Sequence, residues 1–196
     1  MSAALGIELH RRDIINGLLE RRGDALVVAG LGSTAWDCTA AGDSPLTFPM
    51  WGAMGTAGMI GLGLALAHPA RRVVVITGDG EMLMGLGSLA TIGVQRPSNL
   101  ALVVIDNERY GETGMQATHT AHGVDLARIA LGCGFAVASA VRGEREAAGL
   151  HALVYDTPGP VLAQVKVVAE KLPLVLPPHD GVVLKDRFRG ALLGRA

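Results

Sequence analysis

Along this chain, uninterrupted apolar runs alternate with stretches whose apolar residues recur at helical spacing. "LHRRDIINGLLERRG" (9–23) carries the helical period and stops at Gly23. "ALVVAG" (25–30) is a short apolar run, the pattern of a strand covered on both faces. "GAMGTAGMIGLGLALAHP" (52–69) predicts a glycine-rich helix stopped by Pro69, with small residues that let it lie close to a neighbour. "RRVVVIT" (71–77) predicts a strand, "MLMGLGSLATIGV" (82–94) a helix and "NLALVVID" (99–106) a third strand. "VDLARIALGCG" (124–134) reads as a helix, "FAVASA" (135–140) as a strand, "REAAGLHALVYD" (145–156) as a helix and "PVLAQVKV" (160–167) as a last strand. This alternation predicts an α/β fold: a doubly wound, mostly parallel sheet with helices on both faces. Residues 1–170 form the expected domain. The tail, 171–196, is broken by prolines and then weakly helical, and is expected to pack on the domain or on a partner.

Composition narrows the picture. With 49% hydrophobic residues, 27 glycines and 4% aromatics, the chain suits one tightly packed domain rather than a disordered or fibrous one. A formal net charge of −1 gives no global electrostatic case for nucleic acid or an anionic membrane. Cys38 and Cys133 are isolated, in neither CxxC nor metal-finger spacing, so a reduced, cytoplasmic setting is expected. No apolar secretory core is read in "MSAALGIELHRRD". The longest apolar stretch, 57–67, falls short of the roughly 20 residues that cross a bilayer.

In doubly wound sheets, ligands bind beyond the carboxyl ends of the strands. Three loops are expected there: "GLGSTAWD", "TGDGE" and "IDNERYG". In the second, Asp79 stands between Gly78 and Gly80 at the end of a buried strand. Asp is a poor strand residue and costly to bury without a partner. It could simply cap the following helix. Alternatively it faces a phosphate at that helix N-terminus, and two anions side by side need a cation such as Mg²⁺. Asn107 lies 28 residues further on, at the end of the next strand. One strand–helix–strand unit brings it to the same sheet edge, where its amide oxygen is a hard neutral ligand.

GDG, 25 residues, then DN resembles the cofactor-binding motif of thiamin-diphosphate-dependent enzymes, usually written GDG…NN, with Asp106 where the first Asn is usual. The resemblance implies that Asp79, the Asn107 side chain and the Arg109 backbone carbonyl bind Mg²⁺, with diphosphate oxygens and a water completing the shell. "MWGAMGTAG" (50–58) is similar to the segment preceding this motif in the family. By that likeness Met54 props the cofactor in a V shape and the Gly52 carbonyl accepts a hydrogen bond from the pyrimidine amino group. Ser33 and Thr34 fall where the family contacts diphosphate with hydroxyls, though either also suits a turn or cap. Gly78, Gly80 and the Glu81 backbone N–H belong to the same cradle, with the Glu81 side chain expected to turn away from the diphosphate.

"IDNERYGETGMQATHT" (105–120) is similar to a stretch of two-subunit 2-oxo acid decarboxylases of the sulfopyruvate and phosphonopyruvate type. The resemblance places its loop beside the reacting carbon, with Tyr110 and Glu112 as cofactor contacts. His119 is the candidate catalytic residue. It and His122 would stabilise a carboxylate or relay protons, unless they are exposed loop histidines. Arg109 could hold a sulfonate or phosphonate, or be solvated.

The likeness spans roughly residues 25–170 and covers only the diphosphate-binding domain. The pyrimidine-binding domain, with its activating Glu, is then expected on a partner α chain, in an α₂β₂ assembly or a multiple of it. Carboligation, as in acetolactate synthase, and a non-catalytic cofactor-binding subunit are the alternatives. A ferredoxin-linked oxidoreductase is disfavoured by the two isolated cysteines.

Overall fold

The structure is a computed structural model that describes residues 8–194. Helix α1 (Arg11–Leu19) leads into β1 (Leu26–Ala29), α2 (Ser33–Ala40) and a short β2 (Thr47–Pro49). Then follow α3 (Ala57–Ala67), β3 (Val73–Gly78), α4 (Asp79–Met84), α5 (Ser88–Gln95) and β4 (Leu100–Asp106). A small antiparallel hairpin, β5 (Arg109–Tyr110) and β6 (Gln116–Ala117), precedes a 3₁₀ turn at His119–His122. Helix α6 (Leu126–Gly132), β7 (Val137–Val141), α7 (Glu144–Ala147), α8 (Leu150–Tyr155), β8 (Val161–Lys166) and α9 (Gly181–Leu192) complete the chain.

Six strands form one parallel sheet in the order β2-β1-β3-β4-β8-β7. Strand side chains alternate between two buried layers. Val27, Val74, Ile76, Val103 and Ile105 pack under α1, α2 and α8. Val28, Val75, Leu100, Leu102 and Val104 pack under α3, α5, α6 and α9. Both faces are covered, so the central strands are apolar along most of their length, as parallel sheets require; the polar exceptions, Thr77, Asp106, Gln164 and Lys166, lie toward the carboxyl ends of β3, β4 and β8.

The strand order fixes where a ligand can enter. From β1 the chain moves outward to β2 through α2, then returns past β1 to β3 through α3. Because α2 and α3 cover opposite faces, the carboxyl ends of β1 and β3 open a crevice between them.

Five local features depart from the sequence pattern. The loop expected at 30–37 instead runs into helix α2 from Ser33, and β2 is an additional edge strand. The helix expected from residue 52 starts at Ala57, because Ala53 (φ 58°) and Gly55 (φ 89°) are left-handed. The helix expected at 82–94 starts earlier, at Asp79, and is divided into α4 and α5 at residues 85–87. There the Gly85 backbone lies against that of Gly55, with no space for a Cβ at residue 85. The helix expected at 145–156 is likewise two, α7 and α8, parted at Ala148 and Gly149.

After β8 the chain crosses the carboxyl edge of the sheet in extended form. Val168 N–H donates to the Leu9 carbonyl, Arg12 Nη2 to Pro173 and Trp51 Nε1 to Pro178. Trp51 also stacks on His179, with ring centroids 4.4 Å apart. Helix α9, capped by Asp180, then packs at the far edge against β2, where Phe188 meets Phe48 edge-on.

Candidate functional site

A cavity of about 370 Å³ opens in the crevice. Its floor is the β1–α2 turn and the β3–α4 junction, and one wall is the β5–β6 hairpin. The extended tail supplies another side through Glu170, Lys171, Leu172 and Leu174.

Helix α2 begins at this cavity. Gly32 is its N-cap at φ 74°, and no side chain caps it. A Cβ on Gly32 would also collide with the Glu112 side chain. Uncapped N–H groups at a helix N-terminus suit an anion. Ser33 lines the cavity beside them.

Asp79 opens α4 and is 2% exposed. Its Oδ2 accepts from Thr118 Oγ1 at 2.5 Å and has Thr120 Oγ1 at 3.2 Å. No cation pairs with it among the described residues. Burial, then the nearby charge of Asp106, push its carboxyl up from 3.8 to about 6, and the threonine hydrogen bonds offset part of that.

Asp106, at the end of the adjacent strand β4, has a full set of partners. It accepts from Gln164 Nε2 at 2.6 Å, Thr120 Oγ1 at 2.7 Å and the Glu108 N–H at 3.1 Å, and pairs with Lys166 Nζ at 2.9 Å. Lys166 faces it across the β4–β8 register and also pairs with Glu108 at 2.7 Å. Burial works against the Lys166 charge, but the hydrogen bonds and charges of Glu108 and Asp106 outweigh it and raise its pKa.

Asn107 comes next and lines the cavity. Its Oδ1 accepts from the Arg109 N–H at 3.0 Å, which orients the amide. Glu108 between them is left-handed (φ 61°). Of the four non-glycine residues with positive φ among the described residues, Ala53, Glu108 and Met115 adjoin or line the cavity; the fourth, Arg96, caps α5. Strained backbone of this kind gathers at binding sites.

Ten of the residues singled out in the sequence line the one cavity: Ser33, Met54, Gly78, Asp79, Gly80, Glu81, Asn107, Arg109, Tyr110 and Glu112. The Tyr110 ring lies over Gly80, where a Cβ would collide with it. Met54 lines it next to the Gly55–Gly85 backbone contact. The Glu81 carboxylate is turned beneath the end of β1, against Gly30, and accepts from Thr77 Oγ1 at 2.8 Å; burial raises its pKa. Thr34, Gly52, His119 and His122 are not among the lining residues. The Thr34 hydroxyl donates back to the Gly30 and Leu31 carbonyls in the turn before α2. Gly52 and both histidines are exposed.

Thr118, Thr120, Gln164, Lys166 and Arg11 are not among the candidate site residues singled out in the sequence. "VLAQVKV" held a signal, since Gln164 and Lys166 share one face of a strand otherwise apolar throughout. Thr118 and Thr120 flank the more conspicuous His119, and alternation buries the threonines while exposing the histidine.

At the ends of β3 and β4 the donors at the cavity are the Asp79 carboxylate, the Asn107 amide oxygen and nearby backbone. Among the described residues no group of three or more His, Cys, Asp or Glu side chains could hold a metal. Hard oxygen donors in this number suit a small divalent cation that keeps most of its shell for phosphate oxygens and water.

Comparisons with known proteins agree with this geometry. A family model described as the thiamine pyrophosphate enzyme C-terminal TPP-binding domain matches residues 30–165. The chain is 40% identical over 185 residues to the sulfopyruvate decarboxylase subunit beta of Methanocaldococcus jannaschii, covering 93% of this chain and 96% of that one. It is 39% identical over 150 residues to phosphonopyruvate decarboxylase of Streptomyces viridochromogenes, covering 76% of this chain and 37% of that one. The structure of benzoylformate decarboxylase from Polynucleobacter necessarius superposes with a TM-score of 0.71 at 19% identity, over 89% of this chain and 36% of that one, and shares the fold. The chain therefore belongs to the thiamine pyrophosphate enzyme family and carries its C-terminal cofactor-binding domain.

Proposed function

We propose that the chain is the diphosphate-binding subunit of a two-subunit, thiamin-diphosphate- and Mg²⁺-dependent 2-oxo acid decarboxylase. The observation that carries this is Asp79: a buried carboxylate without a cation, beside an oriented Asn107 and an uncapped helix N-terminus. Asp79 and Asn107 would hold Mg²⁺ through their side-chain oxygens, with the Arg109 carbonyl a third donor. Ser33 and the first N–H groups of α2 would take the diphosphate. The bound cofactor supplies the electron sink that lets a 2-oxo acid lose CO₂.

The chain's own part is to place and shield the reaction. Gly80 lets Tyr110 close over the junction, and Gly55 against Gly85 presents Met54. The hairpin wall and the tail restrict water. The relatives named as a subunit beta support a partner α chain carrying the pyrimidine-binding half, in α₂β₂ or a multiple. They also support decarboxylation over carboligation, because an acetolactate synthase large subunit from Escherichia coli is matched at only 28% identity. Cytoplasmic location fits the isolated cysteines; no helix among the described residues is long and apolar enough to cross a membrane.

The test is to assay the purified chain on several 2-oxo acids with saturating cofactor and Mg²⁺, with and without the pyrimidine-domain subunit. Turnover only with the partner is expected. Robust turnover by the lone chain would contradict the half-enzyme reading.

A further inference from the structure

Arg11 stands in the cavity wall, yet none of the chemistry above uses it. It is the first residue of α1 and is 6% exposed. A cation this buried requires compensation. Its ion-pair partner is Asp37 on α2, with Nε 3.2 Å from Oδ2, a contact that does not form a well-directed hydrogen bond. Asp37 is shared. Arg12 takes its other oxygen through Nε at 3.0 Å and Nη2 at 2.8 Å. Two guanidinium groups on one buried carboxylate leave one positive charge over.

No hydrogen bond from the terminal nitrogens of Arg11 to a described residue is present, whereas Arg12 also reaches the Pro173 carbonyl. The tail residues Glu170 and Lys171 add one charge of each sign to the cavity wall; Glu170 Oε2 lies 3.1 Å from His10 Nδ1, its Oε1 is buried without a hydrogen-bond partner, and neither oxygen is paired with Arg11. The surplus charge therefore belongs to a buried, planar fork whose terminal nitrogens have no acceptor among the described residues. That chemistry matches an oxyanion taken by two parallel N–H donors.

Resting on the proposed function, we infer that Arg11, held against Asp37 in the cavity wall, is an oxyanion anchor that receives the second acidic group of a substituted 2-oxo acid. A 2-oxo acid's own carboxylate leaves as CO₂, so a fixed cation is better placed on a group that stays. Arg11 comes from α1, and its neighbours in the wall are α2 and the tail. Asp79 and Asn107 come from the ends of β3 and β4. The cofactor's diphosphate is the other oxyanion expected in this cavity, and the test separates the two.

The experiment uses the complex with the pyrimidine-domain subunit, as wild type, Arg11→Gln and Arg11→Lys. Calorimetry gives the affinities for sulfopyruvate, pyruvate and thiamin diphosphate with Mg²⁺, and steady-state assays give KM and kcat. Arg11→Gln is expected to weaken sulfopyruvate binding and raise its KM by roughly tenfold or more. Pyruvate and cofactor affinities should stay within about threefold, a split that a merely structural role does not produce. Arg11→Lys keeps the charge without the fork and should fall between; it decides the matter alone if Arg11→Gln does not fold. Unchanged sulfopyruvate affinity, or equal losses for sulfopyruvate and pyruvate, overturns the anchor. A loss confined to thiamin diphosphate overturns the substrate assignment and moves the anchor to the diphosphate. If the wild-type complex turns over no 2-oxo acid, the proposed function fails, while sulfopyruvate binding to that same complex still decides Arg11.

Discussion

Two buried aspartates end neighbouring strands of the same sheet, and they are treated differently. Asp106, at the end of β4, is met by a lysine, a glutamine, a threonine and a backbone N–H. Asp79, where β3 gives way to α4, has two threonine hydroxyls and no cation, and its carboxyl is pushed up to about 6. A protein that can satisfy one buried carboxylate this fully can satisfy another. On the proposed function, the carboxylate at Asp79 is kept for a ligand that is not protein, whereas Asp106 belongs to the frame. Thr118 and Thr120 link the two across 2.9 Å, so the frame also orients the site.

Removing the frame's cation is the most damaging way to break the comparison. Lys166→Met leaves Asp106 buried and unpaired, at a cost of about 3–5 kcal/mol. For a chain of this size that lowers Tm by roughly 10 °C. Adding Asp106→Leu should recover most of the loss, because the buried pair as a whole contributes little net stability. Thermal denaturation of the single and double variants checks both.

The opposite outcome is expected at Asp79. Its folded pKa lies above its unfolded value, so the fold favours the protonated form. That stabilisation is complete below about pH 4 and is lost as pH rises through about 6. Without metal or cofactor, Asp79→Asn should therefore stabilise the chain by about 3 kcal/mol near pH 8 and by little near pH 4. Denaturation of the metal-free protein at the two pH values measures the difference.

Thr118→Val keeps the shape and removes the hydroxyl that orients Asp79. Outer partners of metal ligands typically contribute 10–100-fold in affinity, so Mg²⁺-dependent cofactor binding should weaken by roughly tenfold. Thr118→Ser should retain it. Calorimetry at fixed Mg²⁺ reads the change. The smallest effect is expected from Met54→Ala, which touches neither aspartate. It should lower kcat several-fold and leave cofactor affinity within about threefold; loss of affinity with kcat intact contradicts a propping role.

The layered fold is legible because β3, β4 and β8 are buried on both faces and so are apolar, or nearly so, at every position. The spacing of Asp79 and Asn107 is legible for a related reason: one crossover between adjacent parallel strands returns the chain to the same edge. What stayed hidden depends on contacts distant in sequence. Gly85 reads as one more helical glycine until Gly55 packs on it. Lys166 reads as a solvated strand end until register sets it opposite Asp106. The tail's course over the cavity rests on single hydrogen bonds from Arg12 and Trp51, which no local period announces.

The claim that Asp79 holds its charge for a divalent cation is tested most directly by titrating thiamin diphosphate into the folded wild-type, Asp79→Ala and Asn107→Ala proteins, with Mg²⁺ and with chelator. The account predicts wild-type binding that depends on Mg²⁺ and a loss of roughly 100-fold or more in each variant, with folding preserved. Equal affinity with and without Mg²⁺, or unchanged affinity in either variant, would contradict it.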